Sequence, residues 1–554
     1  MVAVDDVMPT GLTDDRHAMN RRFCIYHALN TEDKALADLL SSGSDERSVL
    51  GPDGLNKYGG APYPRSVVPF GSCTASTIST RGWQAAHVAL ETYRKHNAQI
   101  GEMQASAELG NQIRERLVTL MGLADIPNLQ LVLTPSGSDA EAIALFFASL
   151  TDRTPLVNIV VGAREVGSGT ILAAGARHFS DQVPSGQKRT PGTPIDAPLA
   201  DRTTVHQVKI RHDSSAERSP DDLDVEIQRI VESAVASGAR VIVHIVAHSK
   251  TGVHAPRLET MNDLVSRYST HVVPIIDAAQ GRFSRRGLRD YLSRGFMVIL
   301  TGSKFYGGTA FSGCLLVPGS LLPENQDTFQ FPPGYSDYLT PAQLPDVWTA
   351  ARASLPQRCN LGLMLRWRAA IAEIQAYYET PALARYRILR FFESQTPIIL
   401  GRSPLLELIN VPMPIFDDSF ERLLESKTTV FSFRVKARKG YQIDQPTLAR
   451  WIRWMNHDIS AAAQTNAPEM LLQATRTLFQ LGQAVHVGEQ PSGEHDHVIR
   501  VAIGAILITD IATDPVLGPT LDKRLEWLAE KLEQLCLKIE FIADHATTIL
   551  NLNL

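Results

Sequence analysis

Paired cysteines are missing from this chain. Its five cysteines, Cys24, Cys73, Cys314, Cys359 and Cys536, are scattered over 554 residues with no CxxC spacing. That pattern argues against a disulfide framework and a zinc site and leaves free thiols as the reading. No long Lys or Arg run is present and the formal net charge is -5, so neither nucleic acid nor an anionic membrane is an expected partner. No uninterrupted apolar stretch approaches the length of a bilayer span, and Met1-Val2-Ala3-Val4-Asp5-Asp6 is acidic and without the apolar core of a signal peptide. The expected location is therefore the cytoplasm. Glu494-His495-Asp496-His497 resembles a ligand set superficially, but no further ligand cluster supports it, and alternation on a loop before a strand accounts for it, so no metal is expected.

What is there is an ordinary globular composition, 44% hydrophobic and 20% charged, on a chain long enough for two domains and a substantial core. Residues 1 to about 80 read as irregular, with one helical patch near Glu32 to Leu40 and Gly and Pro concentrated between Gly51 and Gly71. From about 110 to 318 short apolar runs alternate with helical patterns, which predicts a βαβ arrangement with strands at 129–133, 156–161, 241–246, 272–276, 297–300 and 314–317. A well-punctuated helix is expected at about 220–237, with Ser219 as N-cap, Pro220 at its first position and Gly238 just past its end. The polar segment around 180–205, with Pro184, Pro191, Pro194 and Pro198, reads as a surface insertion. A long helix through Arg366 to Tyr378 leads to a smaller C-terminal α+β domain with strands at Thr429–Val435, Thr477–Leu481 and Val498–Ile503 and a final amphipathic helix from about Leu521 to Ala543. The division is an N-terminal segment (1–105), a large α/β domain (106–350) and the long helix with the small domain (351–554).

Two residues carry the most chemistry. Asp277 ends the apolar run Val272-Val273-Pro274-Ile275-Ile276, and Lys304 lies in Thr301-Gly302-Ser303-Lys304-Phe305-Tyr306-Gly307-Gly308. Both leave segments that read as buried parallel strands, so both should emerge at one carboxyl edge, where open α/β sheets bind ligands. A lysine there can form an imine with a carbonyl cofactor while the carboxylate keeps a ring nitrogen protonated. Upstream, the strand at 129–133, the turn Thr134-Pro135-Ser136-Gly137-Ser138-Asp139 and a helix from Ala140 to Leu150 together make a phosphate cradle. Free N–H groups and the positive helix end suit a dianion, and Ser136 and Ser138 can add donors.

Thr134-Pro135-Ser136-Gly137-Ser138-Asp139-Ala140-Glu141, Asp277-Ala278-Ala279-Gln280 and Thr301-Gly302-Ser303-Lys304, in that order, resemble the fold type I pyridoxal phosphate (PLP)-dependent transferase superfamily, nearest to its class V aminotransferase and cysteine desulfurase branch. The resemblance is clear over roughly residues 110 to 320 and implies a mostly parallel seven-stranded sheet sandwiched by helices, PLP as cofactor and an amino acid as substrate. It also implies an expected homodimer with a shared active site.

By the same resemblance, Ser136, Gly137 and Ser138 would hold phosphate, with one of Thr301 and Ser303 joining them and the other stabilising the turn. Gln280 would contact the cofactor's phenolic oxygen, and His248 would supply a second contact, with a capping role competing. Arg500, in His497-Val498-Ile499-Arg500-Val501, would grip the substrate carboxylate, with a surface arginine as the alternative. Ser72 and Thr74, in a loop dense in small hydroxyl residues, and Tyr58 upstream of it would complete the substrate side.

The chain also departs from the pattern. Where members stack a His or another aromatic on the pyridine face, it has Gly162-Ala163-Arg164-Glu165-Val166-Gly167-Ser168-Gly169, so Glu165 or Val166 would cover that face. Ser303 stands where decarboxylases and desulfurases carry a His before the lysine, and no cysteine lies between Leu400 and Cys536, which disfavours sulfur abstraction. Function is thereby expected to be that of an aminotransferase-like transferase passing through an external aldimine. The alternative is a lyase, a β- or γ-elimination or replacement enzyme or a decarboxylating carbon–carbon bond-forming enzyme, and the outsider is a catalytically silent PLP-fold binding protein.

Overall fold

Strands in this chain are made by β-branched and aliphatic runs, and the computed structural model describes them within residues 25–71, 76–150, 153–409, 414–436, 443–464, 466–489 and 495–552. The first is β1 (Val68–Pro69). Next come β2 (Gln130–Thr134), β3 (Leu156–Val161), β4 (Thr203–Val208), β5 (Arg240–Val246), β6 (Val272–Ala278), β7 (Met297–Thr301) and β8 (Gly313–Val317). These seven form one sheet in the order β2-β8-β7-β6-β5-β3-β4. Only β8 runs against its neighbours; it pairs antiparallel with both β2 and β7. All the other carboxyl ends therefore meet at one edge, the α/β architecture expected from the sequence.

The central strands are buried along nearly their whole length, which is why they read as continuous apolar runs rather than alternating ones. The edge strand β4 is different. Its residues alternate between exposed and half-buried, and Thr-Thr-Val-His-Gln-Val gives no run strong enough to predict. The expected insertion thus ends earlier than 205: a short helix at Ala197–Asp201 leads into a strand that belongs to the sheet.

Helix Gly137–Ala148 packs on β2, β7 and β8. Every one of its residues from Ser138 onward is buried, consistent with a helix apolar on all sides. Helix Pro220–Ala236 starts at Ser219, whose side chain accepts from the Asp222 N–H, and stops before Gly238 in the left-handed region at φ 79°. Two long helices, Thr80–Ile100 and Glu102–Met121, occupy a stretch for which sequence reading named no helix. Both pack against helix Leu361–Glu379, so tertiary packing supplies much of what their mixed surfaces lack.

The small domain is a four-stranded antiparallel sheet of β9 (Leu406–Leu408), β10 (Val430–Val435), β12 (Val485–Glu489) and β13 (His495–Ala502), in the order β12-β13-β10-β9. The strand expected at Thr477–Leu481 shortens to β11 (Phe479–Gln480), which leaves this sheet and pairs in parallel with β1. The N-terminal segment is stitched to the small domain in that way. The last helix runs Leu521–Leu550, with non-helical backbone at His545. Among the described residues no helix is long and apolar enough to cross a membrane.

Candidate active site

Gly313 opens β8 between the ends of β2 and β7, opposite both Thr134 and Thr301. A Cβ there would lie 2.8 Å from the Ser136 carbonyl carbon and from the Thr134 hydroxyl, so only glycine lets the Ser136 turn close over the sheet edge. Lys304 follows β7 by three residues, and Asp277 lies in the neighbouring strand opposite Ile299. Gly308 folds the Lys304 loop back: its N–H bonds the Gly302 carbonyl at 2.9 Å. The loop lies so close to helix Leu361–Glu379 that a Cβ at Gly308 would come within 2.6 Å of the Ala370 Cβ.

These strand ends converge on an open cavity lined by Ser136, Gly137, Ser138, Asp277, Gln280, Thr301, Ser303, Lys304, Tyr58 and Arg500. Ten of the residues expected from the sequence are thus in one place. The Asp277 carboxylate is fixed by the Ala279 N–H at 3.1 Å. Thr301 donates its hydroxyl to the Ala279 carbonyl at 2.7 Å and so braces the turn. Ser303 is held from outside, since the Ser76 hydroxyl donates to its carbonyl at 2.9 Å.

At the start of helix Gly137–Ala148 the Ser136 hydroxyl accepts from the Asp139 N–H at 3.2 Å and donates to the Asp139 carboxylate. The Ser136 hydroxyl caps the helix while the residue also lines the cavity. The N–H groups of the first turn and the Ser138 side chain are chemically suited to an anion. Burial lifts the Asp139 carboxyl to about 7 against the pull of Ser136 and Arg47.

Two expected residues are placed elsewhere. Glu165 does not line the cavity; it accepts from Arg211 Nε at 2.5 Å, from the Ser249 hydroxyl at 2.7 Å and from Thr251. A buried carboxylate needs such partners, and this one is spent tying β3 to the loop after β5. His248 is also outside the cavity. It sits at φ 60° with its ring edge-on to Phe283 and His254, and burial, helped by His254 and Arg282, pushes its pKa down to about 3. It is a neutral histidine packed off the cavity lining. Ser72 and Thr74 lie outside the described residues.

The cavity has further walls that sequence reading did not name: Arg47, Glu141, Lys250, Phe311 and Gln483. Lys250 was findable, because it follows β5 at the same sheet edge in His248-Ser249-Lys250-Thr251. Burial, with Arg500 and Lys304 nearby, lowers its ammonium to about 8. Arg47 arrives from a 3-10 turn in the N-terminal segment, bonded to Asp45, with its guanidinium 5.0 Å from the Phe311 ring centroid. Burial opposes its charge, but Asp45 more than offsets that and holds it protonated.

Glu141, almost wholly buried, meets the His244 Nε2 at 3.1 Å, and the same nitrogen lies 2.8 Å from the Asn158 side-chain oxygen. Burial opposes a charge on His244, yet Glu141 and Asp277 raise its pKa overall. Arg500 donates to the Lys250 carbonyl at 3.0 Å, which locks the small domain onto the cavity rim. Among the described residues no cluster of metal-ligating side chains occurs.

No family model and no curated protein matches the chain. Among solved structures it is similar to mouse CSAD, at 17% identity over 84% of this chain and 83% of the other, with a TM-score of 0.43. It is also similar to a C-DES variant with glycine covalently linked to its PLP cofactor, at 14% identity over 84% and 96%, with a TM-score of 0.48. A third is a cysteine desulfurase from Thermococcus onnurineus NA1, at 14% identity over 85% and 94%, with a TM-score of 0.45. These are distant likenesses; the chemistry of the cavity is set by this chain's own residues.

A PLP-sized group can be tested against those residues. It needs an amine, a carboxylate to face a ring nitrogen and an anion cradle. Lys304, Asp277 and the helix start at Gly137 and Ser138 line the same cavity, so the donor set fits.

Proposed function

We propose that this chain is a PLP-dependent enzyme acting at the Cα bonds of an amino acid, as an aminotransferase-like transferase. One observation carries the reading: Lys304, Asp277 and the amino end of helix Gly137–Ala148 line a single cavity. The cofactor, when bound, supplies the electron sink for breaking a bond to Cα.

The rest is done by this chain. Lys304 would hold the cofactor through its Nζ, and the same amine is placed to take the substrate's Cα proton and return it. Lys250 and Arg500 line the same cavity as Lys304. Asp277, oriented by its Ala279 hydrogen bond, would face the ring nitrogen and keep a proton there. Ser138 and the first-turn N–H groups bind the phosphate, and Gln280 orients the ring through its phenolic oxygen. Arg500, fixed by the Lys250 carbonyl, binds the substrate carboxylate with its guanidinium fork. Which Cα bond breaks depends on which one this clamp turns perpendicular to the ring plane.

A lyase is the second reading, and Lys250 favours it. A second amine with a pKa near 8 in the same cavity can protonate a carbon or a leaving group that transamination leaves alone. Purified protein incubated with PLP and single amino acids separates the two. A 2-oxo acid formed without free ammonia supports transfer; carbon dioxide or free ammonia supports the lyase. Absence of a visible absorption band that Lys304→Ala removes would refute both. A homodimer with a shared site, in the cytoplasm, belongs to the same proposal, and an active monomer in gel filtration would overturn its dimeric part.

A further inference from the structure

Behind the Lys304 loop lies a second cavity, of about 460 Å³, between the start of helix Arg285–Ser293, the end of helix Leu361–Glu379, the first turn of helix Ala382–Arg402 and the 420–424 loop. Its character is unlike that of a packing defect, which would be apolar. The Arg285 guanidinium lies 3.9 Å from the Tyr378 ring centroid, and that of Arg385 lies 4.8 Å from the Tyr377 centroid and 5.7 Å from that of Tyr378. Phe420, Leu423 and Leu424 form the facing apolar wall.

Two polar atoms here make no well-formed hydrogen bond. Tyr377 is 1% exposed and its hydroxyl faces the Arg385 guanidinium, whose sealed Nε likewise makes no well-formed hydrogen bond. Buried polar groups in native proteins are bonded in the great majority of cases, and leaving one unmade costs about 1–3 kcal/mol. The nearby carboxylates do not meet the need. Glu425 accepts from the Ser284 hydroxyl at 2.7 Å and from the Ser284 N–H at 3.1 Å, and burial lifts its carboxyl to about 7. Glu421 lines the rim.

Two guanidiniums spread over tyrosine rings, a buried hydroxyl and an aliphatic–aromatic wall describe the complement of a small carboxylate with an apolar body. We propose that this cavity is a second ligand site, separate from the Lys304 cavity, for an aryl or branched aliphatic carboxylate. Its carboxylate meets Arg385 and the Tyr377 hydroxyl, and its apolar part lies against Leu423, Leu424 and Phe420. The site stands independently of the PLP reading. It shares one element with the Lys304 loop: the Tyr306 hydroxyl lies 3.3 Å from that of Tyr378.

The test is titration of the full chain with 4-bromobenzoate by calorimetry, with the bromine located by anomalous diffraction from a soaked crystal. Expected is bromine beside Leu423 and Leu424, with affinity falling about tenfold or more in Arg385→Met, as for loss of a charge-assisted hydrogen bond, and unchanged in Arg500→Met. Should Arg385→Met fail to fold, Tyr377→Phe removes only the hydroxyl and is expected to weaken binding several-fold. No binding at millimolar concentration, bromine only in the Lys304 cavity, or affinity untouched by both substitutions would overturn the proposal.

Discussion

The Lys304 cavity has two walls of different origin. One is made by strand ends of a single sheet: Ser136 to Ser138 after β2, Asp277 in β6, Thr301 to Lys304 after β7. The other is made by Arg47 and Tyr58 from the N-terminal segment and Gln483 and Arg500 from the small domain. The first wall is rigid because its residues leave buried, mutually hydrogen-bonded strands. The second is held by contacts distant in sequence, such as Arg500 on the Lys250 carbonyl and Ser76 on the Ser303 carbonyl. On the proposed function, then, the sheet wall performs chemistry and the other wall chooses and seats the substrate.

Substitutions on the two walls should separate along that line. The largest effect is expected from Lys304→Ala, with turnover falling roughly 10³-fold or more, in the range of lost acid–base and covalent catalysis; product assays and the visible spectrum check it. Asp277→Asn should lower kcat by about 10²-fold while leaving substrate affinity nearly as it was, since the missing charge acts at the ring and not at the substrate. Arg500→Met, on the opposite wall, should act mainly through KM, lowering kcat/KM by about 30-fold, or about 2 kcal/mol for a lost charged hydrogen bond. Equal losses of kcat in all three variants would erase the distinction between the walls.

Two smaller effects sharpen it. Gly308→Ala places a methyl group against Ala370 and should cost about 1–3 kcal/mol as overpacking, read as a lower melting temperature with the cofactor band weakened. The last concerns pH. Lys250 is a cation below about 8 and neutral above, so its help to Arg500 in holding an anionic substrate is lost as pH rises. A falling limb in kcat/KM near pH 8 should follow, and Lys250→Met should remove it. The same depressed pKa means that between about 8 and the ordinary lysine value the unfolded chain holds a proton that the folded chain lacks. Folding stability from this group therefore rises with pH across that window.

Reading by sequence succeeded where the signal is local. The central strands are apolar on both faces and stand out as short runs; helix Pro220–Ala236 is bracketed by Ser219, Pro220 and Gly238. It failed at β4, whose edge position leaves polar residues outward, and at β9 and β12, which are short and partly exposed. At the site, order along the chain sufficed to bring Lys304, Asp277 and Gln280 to one cavity. Glu165 and His248 lie off the cavity lining, because a position after a strand does not say which way a side chain turns: Arg211 draws Glu165 away, and His248, at positive φ, packs its ring on Phe283. Arg47 has no local mark at all.

By itself the sequence determined a layered α/β core and the placing of an amine and an acid at one carboxyl edge, because strand periodicity and parallel crossover connections leave few alternatives. Only the tertiary structure decided that Ser136 caps its own helix, that four basic side chains, Arg47, Lys250, Lys304 and Arg500, share one cavity, and that two further guanidiniums face Tyr377 and Tyr378. Such outcomes depend on competition among polar groups for partners across segments hundreds of residues apart, and burial makes that competition costly to lose.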